Sequence, residues 1–534
     1  MEQGGDGESL FKPNEVQFRP YSRSRPLPYS DISIERPGWS LLLIAAGVLT
    51  TLGLSLPAGY NIGVVNTPAQ LIKEFCKEAV IQRYGGPVGA NQLELIFSTI
   101  VAIFLIGAAI GSLCGSLLAD KIGRKGVLYV CSALGALASI CFVSARPAVS
   151  LELLYLGRLL IGLCSGLTTS VVPMYLTELA PLHLRGSTGV LCPLGITIGV
   201  LAGQIVSMED ILGNEPYWPY CIAAYVVPLV LCALLFPTLP ESPKYLFVIR
   251  NQHHKAFQQL KRLRNTNERS LGVEIDDLKK EQLENMKNAG ANWNMRRVMS
   301  DRSLLLPLIL VCCLQAGQQL SGINAVFFYS NRIFESAGLS QKENELATIG
   351  TGLCNNFMAI LSIWTMSYFN RRFCIIASML SSIFFLVFLG ASIMYIDSYS
   401  FVPYLSIVGT LGYVLCYGFG LGPIPYFVGS ELFEVGPRPS AMALGSMSNW
   451  GGNFVVSLTF PMMQYYIGPY SFFLFASITL LLCGFISYYL PETRGKDVKE
   501  IVALCKDGFR SKPLQTPVPA RVPDYLKMYT NGIV

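Results

Sequence analysis

The segment QQLSGINAVF, residues 318–327, lies within a long apolar run near the start of the second half of the chain. It places three uncharged amides, those of Gln318, Gln319 and Asn324, in the middle of a membrane-length segment. Burying such groups in a bilayer without partners is costly. Amide side chains carry hydrogen-bond donors and acceptors together, as the hydroxyls of a sugar do. The segment therefore indicates a membrane helix whose amides meet an uncharged polyol.

The composition predicts a protein that crosses the membrane many times. Of the 534 residues, 52% are hydrophobic and only 14% are charged, whereas about 25% are charged in soluble proteins. Apolar runs of about twenty residues recur, and each is long enough to span a bilayer. We predict twelve spans, near residues 40–60, 94–118, 126–145, 151–173, 187–207, 218–238, 304–330, 345–368, 373–396, 402–430, 440–462 and 469–490.

The distribution of basic residues predicts the orientation. No cleavable signal peptide is expected, because the first apolar run is long enough to act as an anchor, and residues 1–39 are predicted to be a disordered tail. Lys and Arg are concentrated in 240–303, in the loop 121–125 and at 371–372. The positive-inside rule places these segments and both termini in the cytoplasm. A nucleic-acid site is the rival interpretation, but these charges lie between membrane spans. We expect an integral multi-pass protein of the plasma membrane.

The sequence gives little sign of catalysis. It shows no metal-ligand spacing, no nucleophile–base pair and no pair of acids within a span, so we predict neither an enzyme nor a cofactor. The three histidines, at 183, 253 and 254, fall in predicted cytoplasmic loops. The oligomeric state does not follow from the sequence.

The two halves of the chain repeat each other at an offset of about 250 residues. Three matches occur in the same order, which is difficult to attribute to chance. Duplicated halves of six spans with a site between them are a recurrent transporter architecture. The matched segments are 120–125 with 370–372, 173–186 with 430–439, and 240–243 with 491–494.

With these motifs the chain resembles the sugar porter family of the major facilitator superfamily, and in particular the animal facilitative hexose transporters. The resemblance implies an all-α membrane protein of twelve transmembrane helices in two six-helix bundles. The bundles would comprise residues 40–239 and 304–490. Short cytoplasmic helices would occupy the linker 240–303, and residues 491–534 would form a cytoplasmic tail.

The resemblance also implies a hexose site at mid-membrane between the bundles. Asn449 and Asn453 are four residues apart and therefore share one helix face, and Trp450 beside them is expected to offer an apolar wall to the sugar. The alternative, that the amides only link helices, stays open. The residues predicted to bind substrate are Gln318, Gln319, Asn324, Asn355, Asn449, Trp450, Asn453, Tyr426 and Thr169.

Two groups of residues are predicted to gate this site. By resemblance, Phe327 and Tyr329 occlude it from outside. The segment 418–425 is rich in glycine and proline, which tolerate or impose breaks in a helix. It is therefore predicted to be a flexible inner gate containing Pro423 and Pro425. A static kink is the alternative.

Charged residues at the span ends are expected, by resemblance, to pair across the two bundles when the inside is closed. The alternative is that they only fix the topology. Ser367 stands where the family usually has an acidic residue, so the second cluster is expected to be weaker. The predicted network contains Asp120, Arg124, Arg158, Glu178, Arg185, Glu241, Arg371, Arg372, Glu431, Arg438 and Glu492.

Several departures from the family bear on the substrate and its coupling. Pro193 and Tyr426 replace a glutamine and a tryptophan of the glucose transporters, and Gly418 replaces an acidic residue. Asn61 stands where the proton-coupled relatives carry an aspartate. The resemblance implies a facilitative transporter for glucose and/or fructose, and Asn61 predicts that it is a uniporter. The choice between the two hexoses stays open. A sugar sensor that does not transport is the alternative.

Overall fold

A computed structural model describes residues 38–511 except 66, 86–88, 182–183, 266–270, 288–294, 327–340, 397, 435, 497 and 506–507. Its regular elements are helices, because a bilayer holds no water and each spanning backbone must satisfy its own hydrogen bonds. The helices are α1 (Leu41–Gly63), α2 (Ala69–Tyr84), α3 (Ala90–Ile122), α4 (Arg124–Ala145), α5 (Leu151–Leu179), α6 (Arg185–Val206), α7 (Trp218–Thr238), α8 (His253–Arg264), α9 (Gly272–Lys287), α10 (Met295–Ser300), α11 (Arg302–Val326), α12 (Gln341–Tyr368), α13 (Arg371–Met394), α14 (Val402–Leu432), α15 (Arg438–Ile467), α16 (Tyr470–Tyr489) and α17 (Val498–Cys505).

Eleven helices of the described chain are long and apolar enough to cross a membrane: α1, α3 to α7, α11 to α14 and α16. The remaining predicted span corresponds to α15, which has 30 residues. It is not among the eleven because asparagines, serines and glycines lower its mean hydropathy. Two of these polar residues, Asn449 and Asn453, are buried inside the protein. The low hydropathy of α15 therefore reflects a face that does not meet lipid.

The spanning helices pack around two hydrophobic cores, one in each half of the sequence, and the linker has a smaller cluster around Phe247. The first core contains Phe142 and Trp218, and the second contains Tyr413 and Phe472. Trp450 of the second half packs into the first core, and Val190 of the first half packs into the second. Helices α1 and α6 approach closely at Gly199, where an added Cβ would lie 2.0 Å from the Leu56 carbonyl oxygen. Small residues allow such close packing of membrane helices.

The segment between α7 and α11 lies against one end of the bundle, which we call the linker face. Arg264 of α8 donates from Nη1 to the Leu179 carbonyl oxygen at the end of α5, at 2.8 Å. Lys244 pairs with Glu281 of α9 at 2.6 Å. The opposite end, the far face, carries α2, whose Arg83 pairs with Glu152 near the start of α5 at 2.9 Å.

Two spanning helices of the second half, α11 and α14, are interrupted within the described residues. Helix α11 turns at Gly322, which has φ +85°, and an added Cβ there would lie 2.6 Å from the Phe475 ring. Only glycine fits that conformation and that space. Helix α14 is interrupted between Phe419 and Ile424. Both interruptions leave backbone groups without their regular helical partners, and both face the site described next.

Candidate substrate site between the halves

Five amides on α11 and α15 form one continuous series of hydrogen bonds, which we call the amide chain. Asn449 Nδ2 donates to Gln318 Oε1 at 2.6 Å, and Gln319 Nε2 donates to Asn449 Oδ1 at 3.2 Å. Asn324 Nδ2 donates to Gln319 Oε1 at 3.2 Å and to Asn453 Oδ1 at 2.8 Å. The amides therefore link two helices, as the alternative interpretation expects. Each amide carries more donor and acceptor positions than these bonds use, so binding a polyol remains open to them.

The amide of Gln318 also holds the interrupted part of α14. Its Nε2 donates to the carbonyl oxygens of Leu421 and Gly422 at 3.2 and 2.6 Å. One helix turn earlier, Gln315 Nε2 donates to the Pro425 carbonyl oxygen at 2.9 Å. Carbonyls freed by a break in a membrane helix need other hydrogen-bond donors, because an unsatisfied backbone group is costly in a bilayer. The position of α14 is thus tied to Gln315 and to Gln318, of which Gln318 also lines the cavity.

A cavity of about 120 Å³ lies between α6 of the first half and α11, α12 and α14 of the second. The second-half wall is polar and the first-half wall is largely apolar. Pro193 forms part of the apolar wall, as the sequence suggested. Gly418 also lines the cavity, and its missing side chain lets α14 pack against Met358 of α12, because an added Cβ would lie 2.6 Å from Met358 Cβ. The predicted site residues that line the cavity are Gln318, Gln319, Asn324, Asn355, Tyr426 and Pro423.

The other predicted substrate-binding residues lie behind or beside the cavity. Asn449 and Asn453 are the second layer of the amide chain. Trp450 donates from Nε1 to Thr169 Oγ1 at 3.1 Å and packs edge-on against Phe104, with ring centroids 5.8 Å apart. Trp450 and Thr169 therefore join the halves and do not form a wall of the cavity. Pro425 also lies outside the lining, while Phe327 and Tyr329 lie outside the described residues.

One cavity neighbour was not singled out from the sequence. Asn356, next to the predicted Asn355, donates from Nδ2 to the Thr197 carbonyl oxygen at 3.0 Å and accepts from Thr197 Oγ1 at 3.2 Å. It joins α12 to α6 across the halves. Two adjacent asparagines in an apolar run indicate that both neighbouring faces of the helix meet polar groups. That signal was present in the sequence.

On the linker face, the repeated motifs form two similar clusters of charge. In the first, Arg124 donates from Nε and Nη2 to the Glu178 carboxylate at 2.9 and 3.0 Å. Ser242 Oγ donates to the same carboxylate at 2.6 Å. Glu241 accepts from the backbone N–H of Arg124 at 3.1 Å, at the start of α4. Burial raises the pKa of Glu241, although hydrogen bonds from the backbone N–H groups of Ser242 and Lys125 oppose the rise.

The second cluster has the same plan with weaker contacts. Arg371 Nη2 lies 3.5 Å from Glu431 Oε1, and Thr493 Oγ1 donates to Glu431 at 2.5 Å. Glu492 accepts from the backbone N–H groups of Arg371 and Arg372 at 2.9 and 3.1 Å. Asp120 adds a second carboxylate to Arg124 at 3.2 Å, whereas Ser367 stands at the corresponding position of the second half.

The ion pairs were expected to join the two halves. In the structure, the pair of Arg124 and Glu178 lies within the first half, and the pair of Arg371 and Glu431 lies within the second. The attraction across the halves involves Arg438, a partly buried residue of the second half that is repelled by the charge of Arg185 and attracted by those of Glu281 and Glu178. Arg185 of the first half interacts with the same two carboxylates. Burial lowers the pKa of the neighbouring Lys244 to about 8, against the attraction of Glu281. The linker helix α9 thus supplies a carboxylate to cations from both halves.

Arg158 does not belong to this network. Its Nη1 donates to the Asn61 carbonyl oxygen at 3.0 Å, and its guanidinium lies 4.6 Å from the centre of the Phe104 ring. Twenty helical residues separate it from Glu178, a distance of about 30 Å. The resemblance had grouped it with the linker-face charges. Because Arg158 lies near the start of α5, it is closer to the far face than to the linker face.

The fold and the polar cavity between its halves define a multi-pass membrane transporter. The chain belongs to the Sugar (and other) transporter family, which it matches over residues 47–504. This confirms the family predicted from the sequence motifs.

Similar proteins and solved structures agree with this assignment. The chain is 35% identical over 463 residues to the solute carrier family 2, facilitated glucose transporter member 1 of Gallus gallus, covering 87% of this chain and 93% of that protein. It is 36% identical over 462 residues to member 5 of Mus musculus, covering 86% and 91%. The structure is similar to that of the major facilitator superfamily proton:xylose symporter XylE bound to 6-bromo-6-deoxy-D-glucose, with a TM-score of 0.73 and 24% identity. That match covers 87% of this chain and 99% of the symporter and confirms the fold.

Proposed function

We propose that the protein is a facilitative uniporter that moves a hexose, glucose and/or fructose, down its gradient by alternating access. The amide chain carries this proposal, because it presents uncharged donors and acceptors to a cavity between two halves. Such groups suit a neutral polyol and offer no charge for an ion. The facilitated glucose transporters that the chain resembles support the same substrate class.

The contacts suggest how the sugar and the gate are coupled. A hydroxyl that accepts a hydrogen bond from Gln318 competes with the carbonyl oxygens of Leu421 and Gly422 for the same amide. Binding then loosens the interrupted part of α14, which contains Pro423. We propose that this segment is the inner gate, and that Phe327 and Tyr329 form the outer one.

We propose further that the linker face is cytoplasmic, with both termini on that side, in the plasma membrane. The basic linker, residues 240–303, supports this orientation through the positive-inside rule. The two bundles would be 40–239 and 304–490, and the charge clusters would hold the cytoplasmic side closed. Opening that side separates Arg438 from Glu178 and Glu281.

Uptake of labelled glucose and fructose into sealed vesicles containing the purified protein tests the proposal. We expect saturable uptake that stops when the sugar concentrations on the two sides are equal. Vesicles that bind the sugar without moving it would contradict transport and would favour a sensor.

We predict that hexose movement carries no proton. Asn61 is buried, and its Nδ2 donates to the Pro57 carbonyl oxygen at 3.0 Å. An amide does not exchange a proton near neutral pH, so the group that couples protons in relatives with an aspartate is missing here. A pH-sensitive dye inside the vesicles should show no change when hexose is added. Hexose accumulation against a gradient that a protonophore abolishes would contradict this prediction.

We predict that Pro193→Gln strengthens glucose binding roughly 3- to 10-fold, the gain from one added hydrogen bond. Pro193 lines the cavity on its apolar wall, so a glutamine there meets the sugar directly. Competition among glucose, fructose and galactose measures the effect. Pro193→Ala is the matched control, because it removes the proline ring without adding a polar group. Equal changes in both variants would mean that residue 193 acts only by bending α6.

A further inference from the structure

The first-half wall of the cavity contains only two polar side chains among its described lining residues, those of Thr197 and Gln204. The hydroxyl of Thr197 is already engaged, since it donates to the Leu194 carbonyl oxygen at 2.9 Å and lies 3.2 Å from Asn356 Oδ1. The hydroxyl of Thr169, the other candidate on this side, is held by Trp450 and Ser446. The first-half wall therefore has one amide left to offer a ligand.

Gln204 is poised for such a contact. Its Oε1 is buried and has no hydrogen-bond partner within the described part of the chain. It rests against Gly352 of α12, where an added Cβ would lie 2.5 Å from that oxygen. A buried acceptor without a partner is costly, so a donor from a ligand in the cavity would bring a net gain. The missing side chain at Gly352 is what leaves room for the amide.

The spacing along α6 places Gln204 on the cavity face. Residues 193, 197, 200 and 204 all line the cavity, and their separations of four, three and four residues define one face of a helix. Eleven residues of helix place Gln204 about 16 Å from Pro193, toward the far face. The amide of this wall thus lies at residue 204, whereas residue 193 is an apolar proline.

We propose that Gln204 is the first-half hydrogen-bond partner of the transported hexose and determines which pattern of hydroxyls is accepted. This inference rests on the proposed function and makes it more specific. The carbonyl of Gln204 accepts from a sugar hydroxyl and its N–H group donates to a sugar oxygen. The amide chain holds the opposite side of the sugar from α11.

Gln204→Met tests the assignment, because methionine keeps the length of the side chain and removes both polar atoms. The measurement is competition of a series of monodeoxy analogues against the transported hexose in sealed vesicles. In the wild type, removing the hydroxyl that meets Gln204 should weaken binding on the order of tenfold. In Gln204→Met, that analogue and the parent hexose should bind equally, while the other analogues keep their rank. Gln258→Met, an exposed linker position, is the matched control.

Gly352→Ala is a second variant that keeps the glutamine. The added methyl group displaces the Gln204 amide from α12, so discrimination at the same hydroxyl should change. The change should vanish in the Gln204→Met background, which identifies coupling between the two positions. An unchanged analogue profile in Gln204→Met, or a uniform loss for all analogues, overturns this inference alone. A wild-type protein that moves no hexose overturns the proposed function together with it.

Discussion

Replacing both Gln318 and Gln319 with alanine should weaken hexose binding by at least about 30-fold while the protein still inserts into the membrane. Each amide lines the cavity and belongs to the amide chain. Losing one hydrogen-bonding group to the sugar costs about 1–3 kcal/mol, and about 2 kcal/mol for the pair corresponds to that factor. Initial uptake rates at limiting labelled hexose, normalised to the amount of protein in the vesicles, provide the measurement.

The matched control for this variant is Gln464→Ala. Gln464 lies near the far end of α15, where its amide donates to Ser471 Oγ at 2.7 Å. It resembles the two cavity residues in type but does not line the cavity. Thermal unfolding of each variant in detergent shows whether the fold is kept. Unchanged uptake in a stable double variant would contradict a role of these amides in binding.

Glu178→Gln should shift the protein strongly toward a state open at the linker face. The Glu178 carboxylate is bound by two nitrogens of Arg124 and also attracts Arg438 from the other half. The pair with Arg124 lies within the first half and does not change when the halves separate, so the attraction between Glu178 and Arg438 sets the size of the effect. A coupling of about 1–3 kcal/mol corresponds to a change of about 5- to 150-fold in the ratio of closed to open protein. Labelling of Val190→Cys by a water-soluble maleimide added at the linker face reports the opening.

Val190 suits this measurement because it lines the cavity and is only 1% exposed. Labelling of the protein that lacks Val190→Cys gives the background from the native cysteines, which is subtracted. Glu152→Gln, which breaks an exposed pair with Arg83 on the far face, is the matched control and should leave labelling unchanged. If Glu178→Gln also leaves it unchanged, the linker-face charges fix only the topology.

The sequence was sufficient to predict which amides come together. Water is absent from a bilayer, so Gln318, Gln319 and Asn324 had to find partners, and Asn449 and Asn453 offered them on one face of a single helix. The neighbours of Trp450 could not be predicted in the same way. Periodicity shows which residues share a face, but it does not show which helix that face meets. Trp450 turned from the cavity to Thr169 because its N–H needs an acceptor in an apolar interior.

The charged residues show a second limit. Repeated motifs predicted two clusters at equivalent places, and the structure contains two of the same plan. The choice of partners depended on distances that no motif encodes. The ion pairs therefore formed within each half, and Arg438 is attracted by carboxylates outside its own half. Glu281 of the linker was not among the predicted residues. A carboxylate on a polar helix is common, and only its place beside Lys244 distinguishes it.

The hydrogen bonds within the amide chain have a consequence for turnover. A carrier that works without an energy source must return to its starting side after releasing its cargo. Because Gln318, Gln319, Asn324, Asn449 and Asn453 bond to one another, the protein can make that return without stranding polar groups in an apolar interior. A sugar exchanges these bonds for its own and leaves their number nearly constant. Net flux and one-for-one exchange of labelled hexose should therefore proceed at similar rates, the behaviour that suits a protein that equalises concentrations.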